Sequence, residues 1–111
     1  MTPGSITMRV MLAAQLADYL RSESPVLIDV REPWEFDICH IDNSINIPMG
    51  QIPQSLQQFE NDSEFVLICH HGVRSMRVIQ FLQAQSIENL INLEGGVDAW
   101  AREVDPSMPV Y

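Results

Sequence analysis

Hydrophobic positions along the chain switch repeatedly between helical and strand periods. Leu12, Leu16, Tyr19 and Leu20 recur at three- and four-residue spacing after a loose start, which predicts an amphipathic helix over about 11–21 that Ser24-Pro25 ends. Residues 26–30 (Val-Leu-Ile-Asp-Val) form an almost continuous apolar run, as in strands buried on both faces. Pro33 suits the first turn of a short helix over 33–38. Ile45-Asn46-Ile47 alternates like a small strand and stops at Pro48, and 52–59 reads as another helix. A second apolar run, Phe65-Val66-Leu67-Ile68, ends on Cys69 and is followed by a helix whose Val78, Ile79 and Leu82 form one stripe. Residues 90–93 (Leu-Ile-Asn-Leu) are the last predicted strand, and Gly95-Gly96 separates it from a short helix carrying Trp100.

Strands that alternate with helices predict an α/β fold. Its central sheet should be mostly parallel, with helices on both faces. Ligands in such sheets bind beyond the carboxyl ends of the strands, where Cys69 would lie. At 111 residues the chain fits one domain over 1–111, with no internal repeat, low-complexity segment or linker.

Composition narrows the function. A hydrophobic content of 46 % and a charged content of 19 % fit a globular protein, and no apolar run approaches the roughly 18 to 20 residues of a membrane span. The segment from Met1 to Val10 lacks the basic start and apolar stretch of a secretion signal, so a cytoplasmic location is expected. Six arginines and no lysine face fifteen acidic residues, for a net charge of -9, which argues against nucleic acid or an anionic membrane as partner. Against that field, the local positive charge at Arg74 and Arg77 stands out. The two cysteines, Cys39 and Cys69, make no disulfide framework, and no Cys/His spacing resembles a zinc site, so neither a metal nor a cofactor is expected.

The chemistry concentrates after the second apolar run, in Cys69-His70-His71-Gly72-Val73-Arg74-Ser75. A loop between a buried strand and a helix N-terminus presents unpaired N–H groups and the positive end of the helix dipole. That setting favours the thiolate, the nucleophilic form of cysteine. The plainer reading is a core cysteine closing a strand, since free cysteine is often buried. His70, His71, Gly72 and Arg74 are poor choices for a packed interior and favour the reactive reading.

Three separated segments resemble the rhodanese family of single-domain sulfurtransferases, over nearly the whole chain, which implies a rhodanese-like α/β fold with a central, mostly parallel sheet of about five strands. The first runs from Leu27 to Phe36 through Asp29-Val30-Arg31 and continues in His40-Ile41 and Ile45-Asn46-Ile47-Pro48, similar to the family's Asp-Val-Arg and Gly-His-Ile-Pro-Gly-Ala-Ile-Asn-Ile-Pro stretches. The second is the Cys69 loop. The third, Gly95-Gly96-Val97-Asp98-Ala99-Trp100, is similar to the family's closing Gly-Gly-x-x-x-Trp motif. The chain departs from the pattern at Cys39, where the family usually has glycine, and at Asp42-Asn43-Ser44, which replaces Pro-Gly-Ala. These changes bear on a turn rather than on the catalytic loop, and Cys39 is either a second redox thiol or a tolerated substitution.

The resemblance implies that Cys69 takes a sulfane sulfur from a small-molecule donor such as thiosulfate, becomes a persulfide, and passes the sulfur to cyanide or a thiol. Thioredoxin or a sulfur-carrier protein is a possible acceptor. Loop N–H groups from His70 through Ser75 can hold the thiolate and the persulfide. Gly72 permits positive φ. Arg74 offers a planar fork to the sulfonate-like oxygens of thiosulfate, or pairs with Asp29 or another acid. His70 and His71 add charge or hydrogen bonds, Val73 completes the loop, and Ser75 is expected to cap the following helix. Arg77 supports the positive field or solvates its helix. Asp29 and Arg31 are expected to brace the loop, His40 to bond within its turn, and Trp34 and Trp100 to be core or cleft-wall residues. Two other functions compete. Phosphatases of related fold place five residues between the cysteine and the arginine, against four here, His70 to Val73. Non-catalytic rhodanese-like binding modules generally lack the cysteine.

Overall fold

The computed structural model describes residues 8–111. Five parallel strands form one sheet, β1 (Arg9–Met11), β2 (Val26–Asp29), β3 (Ile45–Asn46), β4 (Phe65–Ile68) and β5 (Leu90–Leu93), in the order β1-β5-β4-β2-β3. Between them run α1 (Ala13–Tyr19), α2 (Pro33–Ile38), a 3-10 segment (Met49–Phe59), α3 (Val73–Ala84) and, after β5, α4 (Gly96–Glu103). No helix among the described residues is long and apolar enough to cross a membrane.

The apolar runs are continuous because the sheet is covered twice. Leu27, Val66, Ile68, Ile91 and Leu93 pack with Leu16 of α1 and with Val97 and Trp100 of α4. Their sequence neighbours Ile28, Phe65, Leu67 and Leu90 pack on the other face with Val78, Ile79 and Leu82 of α3 and with Ile52 and Phe59 of the 3-10 segment. Successive strand residues point to opposite faces, so both must be apolar when both faces are covered. The fold is therefore the expected α/β sheet with helices on both sides.

Two elements differ from the sequence reading. Residues 9–11 are not loose but form β1, an edge strand paired in register with Ile91, Asn92 and Leu93, and the first helix consequently starts at Ala13. The helix expected over 52–59 is a 3-10 segment that starts at Met49 and contains Pro53, with Ser55 outside helical φ/ψ. A proline removes an amide donor that a regular α-helix would need there.

This architecture places the site. β4 is the central strand, lying between β5 and β2, so the turn beyond Ile68 opens at the carboxyl edge of the sheet beside the ends of both neighbours. Asp29 lies opposite Ile68, and Asn92 lies opposite Leu67.

Candidate active site

Cys69 follows β4 directly and is 1 % exposed, yet its surroundings are polar. Its Sγ accepts hydrogen bonds from the backbone N–H of Gly72 at 3.0 Å and of Ser75 at 3.3 Å, and lies 3.3 Å from Ser75 Oγ. Both amides belong to the start of α3, whose first N–H groups have no partner within the helix. The tight turn requires Gly72 at φ +100°, and a Cβ there would press on the Gly95 nitrogen at 3.2 Å and the Leu93 oxygen at 3.3 Å.

Of the loop's N–H groups expected on the sulfur, those of Gly72 and Ser75 reach it, and two of the loop's carbonyls are held elsewhere. Cys69 O accepts from Val97 N–H at 2.9 Å and His70 O from Asp98 N–H at 3.1 Å, both in the first turn of α4. The two glycines before Val97 thus bring one helix start onto the loop's acceptors while a second helix start faces the sulfur. Gly96 sits at this contact, where a Cβ would lie 2.2 Å from Cys69 O.

Ser75 is not the helix cap expected from sequence. Gly72 occupies the cap position, and the buried Ser75 hydroxyl turns inward and donates to Asn92 Oδ1 at 2.5 Å. The Asn92 amide in turn donates to Gly72 O at 3.2 Å. With its proton on Asn92, Ser75 Oγ presents a lone pair to the sulfur and accepts the S–H of the neutral thiol, while the thiolate is held by the two amides.

Arg74 has its fork filled. Its Nη1 and Nη2 donate to the Glu35 carboxylate at 2.7 and 2.9 Å, so the acid that pairs with it is Glu35 and not Asp29. A third of the arginine side chain remains exposed, and its charge lies close enough to Cys69 for a negative sulfur to raise its pKa further. Glu35 also accepts from Tyr111 OH at 2.8 Å and from Glu32 N–H at 3.0 Å. Arg74 above all holds the Glu35 carboxyl down at about 2, against its ordinary 4.5. A depressed carboxylate stabilises the fold fully above the unfolded value and loses that contribution as pH falls through the folded one. Acid titration of wild type should therefore show a loss of stability between about pH 4.5 and 2 that Glu35→Gln lacks, measured as melting temperature against pH.

Asp29 and Arg31 form a fully buried pair at the end of β2, where Asp29 lies opposite Ile68. Arg31 Nε and Nη2 reach the Asp29 carboxylate at 3.0 and 2.7 Å, and its remaining N–H groups donate to Cys39 O at 2.6 Å, Tyr111 OH at 2.7 Å and Glu35 O at 3.3 Å. Burial opposes the charge, but the Asp29 and Tyr111 bonds outweigh it and raise the arginine pKa.

His70 and His71 stack side by side, with ring centroids 3.9 Å apart, and His71 is exposed. Burial, followed by the nearby His71 charge, lowers the His70 pKa, and His70 Nε2 has no hydrogen-bond partner among the described residues. Both histidines and Asp98 bring ligand atoms within 4.8 Å of one another, a donor set that could touch a metal ion, although Asp98 is already bonded to Arg102 at 3.0 Å. Val73 is an exposed first residue of α3, and Arg77 flanks an apolar groove lined by Met49, Ile52, Pro53, Val78 and Phe81. His40 Nδ1 bonds Phe36 O at 2.8 Å within its turn, as expected. Trp100 is core, whereas Trp34 is 62 % exposed and meets the edge of Tyr111 at 6.4 Å. Cys39 is buried and unpaired.

Glu35, Asn92 and Tyr111 enter the site without having been singled out in the sequence. Only Asn92 carried a signal, as the one polar residue in an otherwise apolar buried strand.

The family profile for the rhodanese-like domain matches residues 12–103. A putative sulfurtransferase of Bacillus subtilis, YtwF, is 40 % identical over 84 residues, covering 76 % of this chain and 81 % of the relative. The probable adenylyltransferase/sulfurtransferase MoeZ of Mycobacterium tuberculosis is 37 % identical over 100 residues, but there the chain spans only 26 % of the relative's length. Among solved structures, a rhodanese-like domain protein of Staphylococcus aureus superposes with a TM-score of 0.79 at 35 % identity, covering 87 % of this chain and 95 % of that one. With the cysteine loop, the buried Asp-Val-Arg strand end and the double glycine all in place, the chain belongs to the rhodanese-like domain family.

Proposed function

We propose that this protein is a sulfurtransferase in which Cys69 carries the sulfur. The observation that carries the reading is the Cys69 Sγ held at the end of the central strand by two inward-pointing amides, of Gly72 and Ser75. In the first half-reaction the Cys69 thiolate, having lost its proton, attacks the outer sulfur of thiosulfate. A Cys69 S–S bond forms as the donor's S–S bond breaks, and sulfite leaves with the electron pair. The terminal persulfide sulfur carries the negative charge within the loop's field. In the second half-reaction cyanide or a thiol attacks that sulfur and the Cys69 thiolate leaves.

Arg74 supplies a permanent positive charge at the mouth, oriented by Glu35, for the anionic donor. The four residues between Cys69 and Arg74 make a cradle suited to a single sulfur rather than to a tetrahedral phosphate. Retention of the cysteine speaks against a purely docking role. The acceptor in the cell is a thiol such as glutathione or thioredoxin, or else a sulfur-carrier protein, in a reducing cytoplasm that keeps Cys39 and Cys69 as thiols. No cofactor is required for either half-reaction.

Intact-protein mass after incubation with thiosulfate tests this. The expected result is a gain of one sulfur atom, lost again with release of thiocyanate when cyanide is added. No gain with thiosulfate, mercaptopyruvate or a low-molecular-weight persulfide would overturn the reading. Arg74→Ala should lower kcat/KM for thiosulfate by about tenfold or more while leaving the reaction of preformed persulfide with cyanide nearly unchanged. Equal losses in both half-reactions would make Arg74 a loop brace instead of a donor site.

A further inference from the structure

Tyr111 lies outside every motif that carries the family resemblance, yet it touches three separate parts of the site. Its ring lies flat on His70, with centroids 4.0 Å apart and an interplanar angle of 0°. Its hydroxyl accepts from Arg31 Nη1 at 2.7 Å and donates to Glu35 Oε2 at 2.8 Å. The direction of these bonds is fixed, because a guanidinium can only donate and the ionised carboxylate can only accept. Burial above all pushes the Tyr111 phenol up to about 12, so the proton that Glu35 accepts stays in place at neutral pH.

Each contact leads to the reacting sulfur by a short route. His70 is bonded directly to Cys69 in sequence, its carbonyl is fixed by Asp98 N–H, and its ring, in contact with the exposed His71, needs a second group to hold it. Tyr111 holds it. Glu35 orients Arg74 through both carboxylate oxygens, and one of those oxygens is the atom that accepts from Tyr111. Arg31 connects the same hydroxyl to buried Asp29, which lies opposite Ile68, the residue before Cys69. A side chain that merely filled surface would require neither the flat stack nor the two directed bonds.

We propose that Tyr111 is a positioning residue for sulfur transfer, its ring clamping His70 beside Cys69 while its hydroxyl clamps the Glu35–Arg74 pair. The proposal rests on the reading of Cys69 as the sulfur carrier. The two clamps are separable by substitution. Tyr111→Phe keeps the ring on His70 and removes one oxygen atom, whereas Tyr111→Leu removes both clamps.

The experiment measures both half-reactions and the NMR titration of the His70 imidazole in wild type and both variants. In Tyr111→Phe the KM for thiosulfate rises severalfold while discharge of the persulfide to cyanide keeps its rate, because only the orientation of Arg74 is loosened. In Tyr111→Leu the burial that lowers the His70 pKa is relieved, while the main-chain hydrogen bond with residue 111 and the Asp98 and Glu35 charges that raise it stay. The His70 pKa therefore rises, and kcat falls as well. A wild-type KM in Tyr111→Phe, or an unchanged His70 titration in Tyr111→Leu, overturns the proposal. The titration needs no turnover. If wild type itself takes up no sulfur, the sulfurtransferase reading fails on that result, and the clamp on His70 is still decided by the NMR comparison.

Discussion

Replacing Cys69 with serine is expected to abolish sulfur transfer and leave the fold intact. The serine oxygen would sit where Sγ sits, within reach of the Gly72 and Ser75 amides, so the hydrogen bonds that shape the loop survive. The change in stability should stay within about 1 kcal/mol, because no cavity of consequence opens and no buried donor loses its partner. The chemistry does not survive. An alcohol is almost wholly un-ionised at neutral pH and cannot form a persulfide, so thiocyanate production should fall by about 10⁴-fold or more, the scale seen when an activated nucleophile is removed. Intact mass after thiosulfate and the melting temperature check the two halves of this prediction. A sulfur atom taken up by the serine variant would have to reside on Cys39, the other free cysteine, and would sink the assignment of Cys69.

The strands that were legible in the sequence are those whose burial is complete. β2, β4 and β5 are covered on both faces, so each reads as an apolar run without needing its neighbours as context. β1 is three residues long with Arg9 and Val10 exposed, and it is a strand only because β5 pairs with it. No local pattern could announce it. The same distinction divides the site. Cys69, Gly72 and the double glycine are visible because a short segment must turn sharply and end on a nucleophile. Glu35 meets Arg74 across 39 residues, Asn92 meets Ser75 across 17, and Tyr111 meets Glu35 across 76. The first two pairings follow from the sheet order, which lays the ends of β2, β4 and β5 side by side, and the third from the segment after α4, which brings Tyr111 to the site. Ser75 shows the consequence: its local position suggests a cap, but once Asn92 is brought within 2.5 Å the hydroxyl turns inward.

Gly96→Ala should be among the most damaging single-methyl additions in this chain. Gly96 has φ +59°, and its added Cβ would fall 2.2 Å from Cys69 O, 2.4 Å from His70 O and 2.5 Å from the His70 carbonyl carbon. All three are backbone atoms, so no side chain can rotate away. Either the Cys69 loop or the start of α4 must move. Movement there strains the bonds from Val97 and Asp98 N–H that hold the loop's carbonyls. Left-handed backbone and overpacking each cost about 1–3 kcal/mol, so a loss of about 3 kcal/mol or more is expected, a fall in melting temperature of roughly 10 °C or more. Gly50→Ala is the control, since a Cβ there meets nothing within 4 Å and its melting temperature should stay near that of wild type. Function should suffer beyond what unfolding explains. At a temperature where the variant is still folded, the displaced carbonyls rotate the peptide planes that aim the loop, and both thiosulfate uptake and alkylation of Cys69 should slow. If the folded variant instead takes up sulfur at the wild-type rate, the grip of α4 on the loop serves stability alone, and the aim of the Gly72 and Ser75 amides is set by α3 and by the Asn92–Ser75 bond without help from the double glycine.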